Sequence, residues 1–190
     1  GTWVAFGASR GRFAPLPVSA NAVLVNPTSQ NNDSVALVRD GGLVHAFSGF
    51  TGRWTTRAVA PTAGLAVSRH TALLVDGVQL SGYDAFTGQW LDQLADGPVV
   101  RLSADGVCGF AATATSAYGF SALHRAWSTT AANGSSAFVR NDDWAVLHDG
   151  TTALGYSGLT NTFAQTVTGP LLASAGDDLM GAFTVPGLVF

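Results

Sequence analysis

A phrase of eight residues recurs along this chain and limits its fold more than any other feature. It reads Phe47-Ser-Gly-Phe-Thr-Gly-Arg-Trp54, Tyr83-Asp-Ala-Phe-Thr-Gly-Gln-Trp90, Phe120-Ser-Ala-Leu-His-Arg-Ala-Trp127 and Tyr156-Ser-Gly-Leu-Thr-Asn-Thr-Phe163. A worn copy, Phe6-Gly-Ala-Ser-Arg-Gly-Arg-Phe13, stands near the start. Successive copies begin 41, 36, 37 and 36 residues apart. A fixed period of this size marks one supersecondary unit stacked repeatedly.

The second full unit shows what is being stacked. Leu65 to Arg69 reads as a short strand and Thr71 to Val75 as the next, with Asp76-Gly77 as a tight hairpin turn, since both residue types tolerate left-handed backbone. A third strand runs from about Val78 to Asp84, and the turn Ala85-Phe-Thr-Gly88 leads into a fourth at Gln89 to Asp92. Asp40, Asp76 and Asp149 each stand seven residues before the aromatic that opens their phrase, and each is followed by glycine. The third unit departs, with Thr113-Ala114 in those places. Four short antiparallel strands per unit is the anatomy of a β-propeller blade.

The chain ends extend the pattern. Leu171 to Ser174 and Leu179 to Phe183 resemble the first two strands of a further unit, and Thr2 to Phe6 with Arg12 to Pro15 resemble the last two. The expectation is a single all-β domain over residues 1–190, a five-bladed β-propeller of four-stranded blades about 37 residues long. Residues 1–21 and 171–190 together would form the closing blade, sealed by pairing of the terminal strands. An open stack would instead need polar caps, and neither Trp3 to Phe6 nor Leu188 to Phe190 is polar. Leu188 to Phe190 overlaps Gly1 to Trp3 in the repeat, so strand exchange with a second copy offers a route to an oligomer.

Composition supports strands and excludes some partners. The chain contains no Lys, Glu or Ile: its cations are nine arginines and its acids twelve aspartates. Charged residues make up 11% and net charge is −3, with no arginine grouping larger than Arg10/Arg12 and Arg53/Arg57 in sequence. A nucleic-acid partner is therefore not expected. No apolar run approaches the ~18 residues of a membrane helix, so no membrane insertion is expected either. The single Cys108, between Val107 and Phe110, reads as a small buried hydrophobe.

Asp84, Ala85, Thr87 and Gly88 resemble the strand-turn signature of the quinoprotein-like propeller repeat, in which an Asp-Ala-x-Thr-Gly turn precedes a tryptophan. Trp90 follows the glycine more closely than in that family, while Thr51-Gly52 and Thr160 retain parts of the signature. The resemblance implies blade anatomy across nearly the whole chain. It does not carry the quinone chemistry, because the larger quinone-dependent members hold a metal-assisted cofactor site. This chain has no matching acid cluster or adjacent cysteine pair. No cofactor is expected. The same fold family includes non-catalytic assembly scaffolds, and small five-bladed lectins share the architecture without a phrase that matches here.

No catalytic or metal centre assembles from the sequence. His45, His70, His124 and His148 fall in different contexts without ligand spacing, and His148 beside Asp149 on a strand would diverge from it. Asp142-Asp143 and Asp177-Asp178, between first and second strands, read as solvated loop acids. The turn aspartates are accounted for by turn formation. Trp54, Trp90 and Trp127, with Phe163 and Phe13 at the same repeated position, read as fillers between neighbouring sheets rather than sugar platforms.

The segment Asn26 to Ser34 is the main insertion relative to the repeat, and loops on a rigid scaffold are where binding resides. Its Asn26, Ser29, Asn31 and Asn32, together with Trp144 outside the repeated aromatic position, are the candidate ligand contacts. Asn32-Asp-Ser34 and Asn133-Gly-Ser135 fit the glycosylation acceptor pattern. The function expected is a non-catalytic, extracytoplasmic binding or scaffold module for protein partners. The alternative is a small multivalent lectin taking a glycan.

Overall fold

The computed structural model describes residues 1–25, 34–168, 173–176 and 181–184. These residues are strand and turn throughout, apart from one 3-10 turn at Ala8–Arg10. The first sheet holds only β1 (Thr2–Gly7) and β2 (Arg12–Pro17). Four four-stranded antiparallel sheets follow in chain order. The first is β3 (Val23–Leu24), β4 (Val35–Asp40), β5 (Leu43–Ser48) and β6 (Arg53–Ala58). The second is β7 (Gly64–Val67), β8 (Thr71–Asp76), β9 (Gln79–Asp84) and β10 (Gln89–Leu94). The third is β11 (Arg101–Asp105), β12 (Cys108–Ala112), β13 (Ser116–Ser121) and β14 (Ala126–Ala131). The fourth is β15 (Ala137–Asn141), β16 (Trp144–His148), β17 (Thr152–Ser157) and β18 (Thr162–Val167). A two-stranded sheet, β19 (Ala173–Gly176) with β20 (Gly181–Thr184), ends the series.

The chain is thus an all-β propeller, with four complete four-stranded blades flanked by a two-stranded half-blade towards each end among the described residues. The terminal pairing expected from the sequence is absent among the described residues, where β1 pairs with β2 alone and β20 with β19 alone. The overlap at Leu188 to Phe190 lies outside the described residues. In the first half-blade Phe6 and Phe13 are exposed, at 52% and 70%.

Each phrase builds the same contact twice over. Its first and last residues face each other across the third and fourth strands: Phe47 with Trp54, Tyr83 with Trp90, Phe120 with Trp127, Tyr156 with Phe163, and Phe6 with Phe13. Ring centroids in these pairs lie 4.9 to 5.2 Å apart and tilted, the geometry aromatic quadrupoles favour. In the third and fourth full blades the first aromatic then packs on the preceding blade, where the equivalent position carries glycine. A Cβ at Gly82 would stand 2.5 Å from the Phe120 ring, and one at Gly119 would stand 2.2 Å from Tyr156. The core accordingly lies between blades, as apolar clusters joining each sheet to the next.

Between the phrase ends the chain must reverse tightly, and one residue does so with positive φ in every copy. It is Gly11, Gly52 and Gly88 in three, but Arg125 (φ 53°) and Asn161 (φ 55°) in the others. Arg125 bears a left-handed backbone in which its Cβ crowds the following carbonyl, a cost that glycine avoids. Its side chain reaches the preceding blade, donating to Gln89 Oε1 at 2.6 Å and standing 3.4 Å from buried Asp84.

Hydrogen bonds stitch blade to blade at the same end of the strands. Ser48 and Ser121 donate to the carbonyls of Ala85 and Gly158 in the next blade. Ser34 N–H donates to Arg69 O and His70 N–H to Gly106 O, each at 3.1 Å. Asp142 and Asp143 join this network instead of being solvated. Asp142 meets Arg69 at 3.3 Å, and Asp143 Oδ1 accepts from Val107 N–H at 3.4 Å. Crowding of neighbouring first-to-second-strand loops explains the correction, since the Asp142 carbonyl lies against Gly106. Asp177 and Asp178 lie outside the described residues.

At the opposite end, turn aspartates hold the connectors between blades. Asp40 accepts from Ser19, and Asp76 accepts from Ala60 N–H at 2.9 Å. In the third unit, where Thr113-Ala114 replaces Asp-Gly, the arrangement is inverted. The connector supplies Asp96, and the turn supplies the hydroxyls of Thr113 (2.6 Å), Thr115 (2.8 Å) and Ser116 (2.5 Å). Ser116 first, then Thr113 and Thr115, hold the Asp96 carboxyl well below the ordinary carboxylate range. A depressed pKa means stabilisation that is present above the ordinary value of 3.8 and lost as pH falls below it. Asp96→Asn is therefore expected to lower the thermal midpoint at neutral pH, with the gap from wild type closing as the pH drops below about 4. A gap independent of pH would contradict the inverted tie.

Candidate functional site

Because the strands alternate in direction, first-to-second-strand loops and third-to-fourth-strand turns gather at one end of the molecule. The insertion singled out in the sequence falls between β3 and β4, and its Asn26, Ser29, Asn31 and Asn32 lie outside the described residues. Its described boundary, Ser34, is firmly placed. The Ser34 hydroxyl donates to Arg69 O at 2.7 Å and stands 2.7 Å from His70 Nδ1. Trp144 is half-buried as the first residue of β16, immediately after the Asp142-Asp143 ties. Trp144 thus belongs to the fourth blade, while Ser34, the described residue that bounds the insertion, belongs to the first.

Ser34 instead borders an aromatic group that sequence reading missed. Phe50 and Phe86, from equivalent turns of the first two blades, stack with centroids 4.9 Å apart. His70 packs on both, at 5.9 and 5.4 Å. Beside them opens a cavity of about 330 Å³ between the first half-blade and the first full blade, lined by Phe6, Ala8, Ser9, Ser34, Phe50 and His70. Ser9 pins its wall, donating to Gly49 O at 2.6 Å and Phe50 O at 2.9 Å. The signal in the sequence was the extra phenylalanine inside the phrase at Phe50 and Phe86, where later copies carry leucine.

A separate groove of about 680 Å³ is formed by the same series of third-to-fourth-strand turns and the strands that follow them. Arg10, Arg12 and Arg53 line it with Thr51, Trp54, Thr87 and Gln89. Arg12 and Arg53 hold the same place in successive phrases, one residue before the closing aromatic. The repeat therefore brings together arginines that are 41 residues apart in the chain.

Several other titratable groups among the described residues are held by local contacts. His45 is buried with Nδ1 2.9 Å from Thr56 Oγ1, and burial lowers its pKa. His148 accepts from Gly150 N–H through Nδ1 and meets Thr168 through Nε2, while neighbouring Asp149 caps the turn at Thr151 and Thr152. Cys108 is buried, which pushes its thiol up. Among the described residues no three His, Cys or Asp side chains converge as metal ligands.

The repeated indoles act as joints. Trp54 Nε1–H donates to Ala14 O and Trp127 Nε1–H to Leu91 O, both at 3.0 Å and both in the preceding blade. Trp90 Nε1 is buried without a hydrogen-bond partner among the described residues, and Arg57, paired with Asp92 at 2.6 Å, lies over its ring.

No protein-family model matches the sequence, and no curated protein matches it. Among solved structures, PorZ, a surface component of the type-IX secretion system of Porphyromonas gingivalis, is 13% identical with a TM-score of 0.44. BamB from Moraxella catarrhalis is 13% identical with a TM-score of 0.38, and the WD40 domain of SCAP from fission yeast 8% with 0.29. These alignments cover 96%, 73% and 94% of this chain, which spans 28%, 41% and 57% of those chains.

If the indoles are joints, their nitrogen partners should register in stability. Trp127→Phe is expected to cost about 1 kcal/mol more than Trp90→Phe, because only the former abandons a made hydrogen bond. Urea denaturation of the two variants measures this, and equal losses would contradict the reading.

Proposed function

We propose that this chain is a non-catalytic binding module for a protein partner, working outside the cytoplasm, with the rim around Phe50 as its contact surface. The observation that carries the reading is the cavity between the first half-blade and the first blade. Apolar walls from Phe6, Ala8 and Phe50 surround the polar groups Ser9, Ser34 and His70, a mixture suited to an apolar side chain of a partner with its peptide group. The insertion between β3 and β4 adjoins it at Ser34, which keeps Asn26, Ser29, Asn31 and Asn32 as proposed contacts. Inter-blade hydrogen bonds hold the surrounding turns, so such a surface binds without a large ordering cost.

Kinship with the quinoprotein-like repeat belongs to this proposal. Its support is the turn chemistry, in which Asp84 accepts from Phe86 N–H at 2.7 Å and from the Thr87 hydroxyl. A glycan ligand finds less support, since the indole N–H groups of Trp54 and Trp127 are taken up by backbone carbonyls.

A photo-crosslinking residue at Ala8, which is exposed and lines the cavity, should form an adduct with one defined protein in extract of the source cells. The same residue at Val78, in a second-to-third-strand turn at the far end, should not. Substitution of His45, His148 or Asp149 should leave the adduct intact. Equal labelling from both positions, or a glycan recovered in place of a protein, would contradict the proposal.

A further inference from the structure

Three arginines converge on a chain whose net charge is −3, and this is the least expected feature of its surface. Arg10 Nε donates to Phe50 O at 3.1 Å, and Arg12 Nη2 donates to Gly52 O at 3.2 Å. Both guanidinium groups are thus oriented by turn carbonyls while most of their N–H donors stay uncommitted among the described residues. Arg53 is exposed, and its side chain makes no hydrogen bond or ion pair among the described residues. Among the described residues Arg57, Arg69, Arg125 and Arg140 pair with aspartates, whereas no described acid lines this groove.

We infer that the groove lined by Arg10, Arg12 and Arg53 receives an acidic segment of a polypeptide, its Asp or Glu carboxylates pairing with the guanidinium groups. Guanidinium forks match carboxylates two bonds at a time, and Arg10 and Arg12 are already fixed for that geometry. The rest of the lining selects a peptide over other polyanions. Thr51, Thr87 and Gln89 offer both donors and acceptors, which suit main-chain N–H and C=O groups. A nucleic acid would need a longer basic track and free aromatic faces, whereas Trp54 is half-buried and tied to Ala14 O. The acidic remainder of the surface repels a long polyanion that extends beyond the groove. This inference rests on the protein-binding reading and gives that partner its charge.

The test uses fluorescence anisotropy of a labelled Asp/Glu-rich peptide, with its Asn/Gln counterpart, a sulfated oligosaccharide and a single-stranded oligonucleotide as competing probes. The acidic peptide is expected to bind, to weaken as salt rises, and to outcompete the other probes at equal charge. Arg53→Gln, which removes no side-chain hydrogen bond or ion pair made among the described residues, should weaken it roughly five-fold or more with an unchanged melting temperature. Arg57→Gln removes the same charge outside the groove and should leave it unaltered. No binding, equal binding of the neutral peptide, indifference to Arg53→Gln, or preference for either other polyanion overturns the inference. Ala8 crosslinking separates the two readings: an adduct that survives Arg53→Gln and high salt removes the acidic-segment inference alone. Peptide binding without any Ala8 adduct removes the wider protein-binding reading instead.

Discussion

The structure depends on an aromatic ring lying flat on the backbone of the preceding blade. Phe120 sits over Gly82 and Tyr156 over Gly119, at separations that leave no room for a Cβ. Burying a ring of this size supplies much of the apolar area available to a short blade, and its flat face brings adjacent sheets close. At the first junction Ala46 replaces the glycine, and Tyr83 answers by directing its hydroxyl at the Ala46 carbonyl, 3.5 Å away. Burial pushes that phenol up, so it stays a neutral donor. The tryptophan or phenylalanine across the strand pair then holds each ring from behind.

This contact fixes where chemistry can be displayed. Once the rings set the spacing of the blades, the serine-to-carbonyl and loop-to-loop hydrogen bonds fall at one end of every strand. The turns that carry Phe50, Phe86, Arg10 and Arg53 emerge from that stitched end. Their positions are therefore set by the repeat, while their side chains vary freely between blades. Threonine, histidine and arginine all occur at the place of Arg10 in other copies, or in Arg10 itself. Binding specificity can be written there without disturbing the core.

Much of this was legible in the sequence because the blade is a local unit. Asp76-Gly77, the phrase and the alternation in Thr71 to Asp84 are all contained within one repeat, and the observed β8 to β10 follow them closely. The buried state of Cys108 was likewise visible from its neighbours. What escaped was set by packing between units. Asp142 and Asp143 read as loop acids because the residues that receive them, Arg69 and Val107, belong to other blades. The basic groove was hidden for the same reason: Arg10 and Arg12 look isolated until the repeat lays Arg53 beside them. Trp144 stood out only by failing to match the repeated aromatic, which is a statement about the core and not about a ligand.

Gly119→Ala in the full chain tests the central contact most directly. The account predicts a loss of about 1–3 kcal/mol or more in denaturant unfolding, because the new methyl meets the Tyr156 ring head-on. Gly42→Ala is the matched comparison: its methyl would meet only the Val59 carbonyl, at 3.5 Å. That change should be neutral or slightly stabilising through the unfolded chain. If Gly119→Ala proved as harmless as Gly42→Ala, the ring-on-backbone contact would not be what spaces the blades.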